Sequence, residues 1–124
     1  MQSLVVDANF LMSAYKFKVD AMSALRELVG KYELVTCSSV IIELQGLSKS
    51  RGPAGPQARQ ALLSLAREGA RVVRTIEPAD DWIVNYCAQH GAIACTNDAA
   101  LRKRLRENGV RSIVLKGRSR IDFG

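Results

Sequence analysis

Short runs of apolar residues alternate along this chain with longer stretches of helical periodicity. Leu4-Val5-Val6 is wholly apolar and stops at Asp7, as a strand buried on both faces does where its end reaches polar surface. Asp20 stands where an N-cap belongs, ahead of a helix that carries Leu25, Leu28 and Val29 and is closed by Gly30. A second strand is predicted over Tyr32 to Thr36. Ser38 and Ser39 then offer caps for a helix carrying Val40, Ile41, Glu43, Leu44 and Leu47. The polar, basic stretch from Ser48 to Gly55, with Pro53 and Pro56 around it, reads as a flexible loop.

Helical spacing returns from Gln57 to Glu68, with Leu62, Leu63, Leu65 and Ala66 as its apolar positions and Gly69 beyond its end. Arg71 to Arg74 is a brief third strand. Pro78 suits the first turn of a helix that carries Asp81, Trp82, Ile83, Tyr86 and Cys87 and stops at Gly91. Ala92 to Cys95 is a fourth strand, Asp98 to Glu107 a helix ended by Asn108-Gly109, and Ser112 to Leu115 a fifth strand. Apolar strands separated by amphipathic helices predict an α/β protein with a parallel sheet covered on both faces. In such sheets ligands bind beyond the carboxyl ends of the strands.

Length and composition agree with this and narrow the function. At 124 residues the chain has room for a single domain, and 48% hydrophobic with 24% charged residues is an ordinary globular balance. No apolar run approaches the roughly 20 residues that cross a bilayer. Met1-Gln2-Ser3 leads straight into the first strand without a secretory pattern, so a cytoplasmic protein is expected. Cys37, Cys87 and Cys95 lie among apolar neighbours, in odd number, and read as reduced core residues rather than disulfide partners or zinc ligands. The 18 basic against 12 acidic residues give +6 and favour a polyanionic partner. The lone His90 sits at a predicted helix end, where it caps carbonyls, and Trp82 reads as a packing residue rather than a platform for a base.

The acidic residues carry the chemistry. Asp7 follows the first strand, Glu43 lies one turn into the helix after the second, Asp80-Asp81 open the helix after the third, and Asp98 follows the fourth after Thr96-Asn97. The fold would gather all of these on one rim. Any one of them alone is explained as a cap or a first-turn acid answering a helix dipole. Glu43, flanked by Ile42 and Leu44 and past the cap, is not explained that way. Converging carboxylates without basic partners repel one another and hold their protons to higher pH unless a cation lies between them. An all-oxygen donor set suits Mg²⁺ or Mn²⁺ better than zinc. Such an ion activates water and stabilises a phosphodiester transition state, so a basic surface beside such a rim predicts a nuclease.

Four segments resemble the PIN-domain ribonucleases: Val5-Val6-Asp7-Ala8-Asn9-Phe10-Leu11, Ser38-Ser39-Val40-Ile41-Ile42-Glu43-Leu44, Ala79-Asp80-Asp81-Trp82-Ile83-Val84, and Cys95-Thr96-Asn97-Asp98 continuing to Leu105. The third and fourth are most similar to the branch that processes ribosomal RNA precursors in archaea and eukaryotes, and less similar to the toxins of bacterial toxin–antitoxin pairs. The resemblance implies a three-layer α/β/α sandwich with a central five-stranded parallel sheet in order 3-2-1-4-5. It implies an Mg²⁺ or Mn²⁺ site that hydrolyses single-stranded RNA. By position, Asp7, Glu43, Asp81 and Asp98 are the metal-binding carboxylates, supported by Asn9 and Thr96. Asp80 stands about 100° around the helix from Asp81, so spacing alone leaves open which of the two faces the ion.

Lys49 and Arg51 in the loop, Arg102, Lys103 and Arg104 on the last helix, and the basic stretch from Lys116 to Arg120 are expected phosphate contacts; the plain alternative is a solvated surface. An aspartyl-phosphate phosphotransferase is disfavoured because Asn9 stands where a second Asp belongs, and no Gly-x-x-x-x-Gly-Lys-Ser/Thr phosphate loop exists. Two further readings use the same fold: a non-catalytic RNA-binding or ribosome-assembly module, and a toxin-type ribonuclease restrained by a protein partner. The sequence leaves open a homodimer and the RNA target.

Overall fold

Each apolar run becomes a strand, and the sheet gains one strand that the pattern does not announce. The computed structural model describes residues 1–124. The strands are β1 (Gln2–Val6), β2 (Tyr32–Cys37), β3 (Arg71–Val73), β4 (Ile93–Cys95), β5 (Ser112–Lys116) and β6 (Arg120–Phe123). The helices are α1 (Ala8–Lys16), α2 (Ala21–Val29), α3 (Ser38–Leu47), α4 (Ala54–Arg67), α5 (Ala79–His90) and α6 (Ala99–Glu107). The sheet order is β3-β2-β1-β4-β5-β6, parallel through β5, with β6 antiparallel to β5. The expected order therefore holds over five strands, but the sheet is six-stranded and mixed. The basic stretch from Lys116 to Arg120 is not a free end: it turns at Gly117, whose φ of 60° suits glycine, and feeds a hairpin.

Chain direction explains the three layers. From β1 through β3 the strands step one way, and from β4 to β5 the other. Right-handed crossovers then place α1 to α4 on one face and α5 and α6 on the opposite one. Leu4, Phe10, Leu25, Leu44, Ile83, Leu101, Leu105 and Ile113 are fully buried between the layers. Each contributes on the order of 1.5–3 kcal/mol of transfer free energy. Cys37, Cys87 and Cys95 are free and buried in this core, and burial pushes the Cys87 thiol up to about 12.

Local chemistry departs from the sequence expectation at three helix starts. Helix α1 begins straight after Asp7, which caps it; Phe10, Leu11 and Ala14 turn inward at helical spacing. Ser38 and Ser39 are not caps. Ser38 Oγ donates to Thr75 O at 3.0 Å and accepts from Thr75 N, while Ser39 Oγ donates to Glu77 O at 2.7 Å, so the pair fastens the β3–α5 loop to the start of α3. Helix α4 starts three residues before the expected Gln57, because Pro56 falls in its first turn, where no amide hydrogen is needed. Gly55 is required there, since a Cβ would strike Ser50 O.

Candidate active site

The direction of strand succession reverses between β1 and β4, and the chains leaving those two strands carry Asp7 and Asp98. A crevice at such a reversal is where this class of sheet binds ligands. Asp7 is buried, at 8% exposure, and its carboxylate is held on three sides. Oδ1 accepts from Ala8 N at 2.8 Å, and Oδ2 accepts from Thr96 Oγ1 at 2.9 Å and Asn9 Nδ2 at 3.1 Å. Burial raises the Asp7 pKa above the ordinary carboxylate range; the hydrogen bonds from Thr96 and Ala8 oppose the rise, and Asp80 and Asp98 add to it.

Thr96 joins the two strand ends. Its hydroxyl donates to Asp7 and accepts from Asp98 N at 3.1 Å. Asn9 Oδ1 accepts from Asn97 N at 3.1 Å, closing the same loop from the other side. Asp98 caps α6 by accepting from Leu101 N at 2.9 Å. Asn97 has a structural role that the sequence reading did not assign. Its side chain donates to Leu115 O and accepts from Leu115 N, at 3.0 and 3.1 Å, extending the β4–β5 ladder by one side-chain pair and fixing the loop that bears Asp98. The Thr-Asn-Asp triplet is the only signal that pointed to it.

Glu43 and Asp80 complete the acidic rim from the solvent side. Both are exposed, and neither accepts a hydrogen bond, apart from whatever water supplies. Glu43 is raised by partial desolvation, then by Asp7 and Asp80; Asp80 is raised by partial desolvation, then by Asp98, with Arg104 pulling the other way. Asp7, Glu43, Asp80 and Asp98 therefore share one electrostatic neighbourhood. Asp81, expected in that set, is turned elsewhere: its Oδ1 accepts from Arg104 Nη2 at 2.8 Å in a half-exposed ion pair between α5 and α6. The physical reason is the 100° step between successive helical residues, with Trp82 and Ile83 buried beneath the same turn fixing the rotation of α5.

The expected phosphate contacts separate in the same way. Arg104 is committed to Asp81. Arg102 lies about 200° around α6 from Arg104 and faces the β5–β6 side, away from that pair. Lys103 is exposed, as are Lys49 and Arg51 in the α3–α4 loop, which Arg59 anchors by donating to Ser48 O at 2.6 Å. Trp82 is packed, at 6% exposure, and stacks on Tyr86, which in turn meets His90.

The residues fit a hard divalent cation by donor chemistry: Asp7, Glu43 and Asp80 are acids held above their ordinary range, and none forms an ion pair. As the side chains stand, no three acids form a ready-made cage. Asp7 is fixed, so Glu43 and Asp80 are the groups whose rotation would bring oxygens together.

A largely parallel α/β/α sheet with carboxylates around its reversal point, beside arginines and without a phosphate loop, defines a PIN-like architecture. The chain belongs to this family: the model described as "PIN like domain" matches residues 4–118. It is 33% identical over 120 residues to Ribonuclease VapC4 of Methanocaldococcus jannaschii, covering 94% of this chain and 92% of that protein. It is 36% identical over 118 residues to Ribonuclease VapC9 of Archaeoglobus fulgidus, covering 94% and 85%. Among solved structures, that of the PIN domain endonuclease Utp24 superposes with a TM-score of 0.81 at 24% identity, covering 98% of this chain and 90% of that one.

Proposed function

We propose that this protein is a divalent-metal-dependent endoribonuclease that hydrolyses phosphodiester bonds of single-stranded RNA, with Mg²⁺ or Mn²⁺ held by Asp7, Glu43, Asp80 and Asp98. The observation that carries this reading is the group of carboxylates at the β1–β4 reversal, of which Asp7, Glu43 and Asp80 are raised by burial and by neighbouring acids and none is ion-paired. The names of the two ribonuclease relatives support it. The ion would supply an activated water and charge stabilisation at the scissile phosphate. Thr96 and Asn9 orient the Asp7 carboxylate, so that its lone pairs are aimed before any ligand arrives. Asp98 keeps Oδ1 on the α6 cap and would have Oδ2 for the ion, while Glu43 and Asp80 would add oxygens from the solvent side. The surrounding arginines and lysines bind the sugar–phosphate backbone.

Ribosomal RNA precursors are the substrate that the Ala79-Asp80-Asp81 and Thr96-Asn97-Asp98 segments favour, in a cytoplasmic protein. A second reading, a toxin-type ribonuclease held by a restraining protein, is favoured by the VapC names of both relatives. Single-stranded RNA incubated with the protein and Mg²⁺ or Mn²⁺ should be cut internally, leaving 5′-phosphate and 3′-hydroxyl ends, and EDTA should stop the reaction. Cyclic 2′,3′-phosphate ends, or full activity in EDTA, would overturn the metal-dependent mechanism. Cleavage of precursor ribosomal RNA at defined positions, against growth arrest relieved by a co-expressed partner, separates the two biological readings.

A further inference from the structure

On the opposite flank of α6 from Asp81, a cavity of about 370 Å³ opens between α6 and the β5–β6 hairpin. Arg102 and Arg106, one turn apart on the helix, reach it together with Arg111, Ser112, Phe123 and Gly124. No aspartate or glutamate side chain lines it, and none of the three guanidinium groups belongs to an ion pair. Arg111 is laid over the Phe123 ring, 4.0 Å from its centroid, which fixes the plane of its donors. Arg102 Nε is the one buried side-chain nitrogen or oxygen in the protein without a hydrogen-bond partner. A buried donor in that state costs free energy that an acceptor would return.

Three convergent, unpaired guanidiniums around a buried, unsatisfied N–H are the chemistry that recognises phosphate, because the planar fork matches phosphate oxygens in pairs. The location narrows the source of that phosphate. Helix α6 starts at the Asp98 cap in the acidic crevice, and Arg106 lies eight residues further along, about 12 Å at the helical rise. We propose that this cavity is a second anchor for single-stranded RNA: it binds a backbone phosphate of the strand whose scissile bond lies in the acidic crevice. Arg102 Nε, Arg106 and Arg111 are its donors. This rests on the endoribonuclease reading for what reaches the crevice, but not for the binding itself.

The test follows the Arg102 Nε–Hε cross-peak of the full chain by NMR in EDTA, with a single-stranded RNA of about 12 nucleotides, within the usual site size for single strands. Inorganic phosphate and a glutamate-rich peptide serve as competing probes. RNA should shift the Arg102 signal saturably, and at lower concentration than either probe. In parallel, Arg106→Gln with Arg111→Gln, both at exposed positions, should lower the slope of log affinity against log salt by about 0.7, the value for the one single-strand phosphate that the cavity holds. Arg67→Gln, the same charge change on another face, should leave the Arg102 signal unchanged. An equal response to inorganic phosphate or to the acidic peptide would overturn RNA as the occupant, and an unmoved signal with an unchanged slope would overturn the site. A protein that moves the Arg102 signal but cuts no RNA loses the nuclease reading and keeps this anchor. One that cuts RNA with Arg102 silent loses the anchor alone.

Discussion

The two halves of the acidic rim are built on different principles. On the β1–β4 side, Asp7 is buried and accepts three hydrogen bonds, and Thr96, Asn9 and Asn97 lock the loops around it. On the α3 and α5 side, Glu43 and Asp80 extend from helices, are exposed and accept no protein hydrogen bond, and are raised by partial desolvation and then by neighbouring carboxylates. The first half sets a fixed, more deeply buried point; the second stays free to adapt. Such a rim keeps its geometry in the side-chain hydrogen bonds of one half and leaves two exposed side chains free to rotate in the other. The contrast between Asp80 and Asp81 shows how local the division is, since one helical step separates a rim acid from a structural ion pair.

Removing the fixed point should have the largest effect. Asp7→Asn is expected to reduce RNA cleavage to background while single-stranded RNA binding, read by anisotropy, stays within a few-fold; retained cleavage would end the proposed role of Asp7. Asp80→Asn should come close to that loss, whereas Asp81→Asn should leave the cleavage rate nearly unchanged and cost at most about 1 kcal/mol of stability, the range of an exposed ion pair. The reverse result would show that α5 presents the other acid to substrate. Thr96→Val keeps every ligand but removes the strap between Asp7 and Asp98. A drop of about 10–100-fold in metal affinity or activity is expected, as for other outer-shell losses. If Thr96→Val cleaves at the wild-type rate, the two halves do not differ in the way described.

The smallest effects concern stability, and there the sign discriminates. Glu43 has a folded pKa above its unfolded one, so its charge opposes folding. That cost is absent below about pH 4, where the group is protonated in both states, and appears as pH rises through the unfolded value to the folded one. Glu43→Gln should therefore melt higher than wild type at neutral pH in EDTA and low salt, with the gap closing in acid and shrinking as salt screens it. Asp98→Asn should differ little, because Asn caps a helix about as well as Asp. A Glu43→Gln gap that persists at low pH would point to packing rather than charge.

Much of the fold was legible because the parallel strands are continuous apolar runs and the helices carry clear stripes. The sixth strand was not: Arg-Ile-Asp-Phe is four residues of alternation behind a basic turn, and its strand character comes from pairing with β5, as Leu115↔Ile121 shows. Helix α1 was hidden for a related reason, since Asp7 serves at once as strand end, helix cap and rim acid. For the candidate site, chain order brought the acids to one edge, but whether Asp80 or Asp81 turns inward depends on helix rotation, which tertiary packing of Trp82 and Ile83 sets. The serines at the start of α3 misled because capping is their commonest local use, while here their partners lie in the β3–α5 loop.

The stack of Trp82 on Tyr86, with centroids 4.7 Å apart, has an optical consequence. Trp82 is the chain's single tryptophan, two residues from Asp80 on the same helix and nearly shielded from water. Its emission spectrum and lifetime are thus an unlabelled gauge of how α5 is seated. A blue-shifted signal that holds steady through titration would mark an event confined to side-chain oxygens. A change in quenching by Tyr86 would mark a helix that shifts as a body, and a stopped-flow trace could time that motion against bond cleavage.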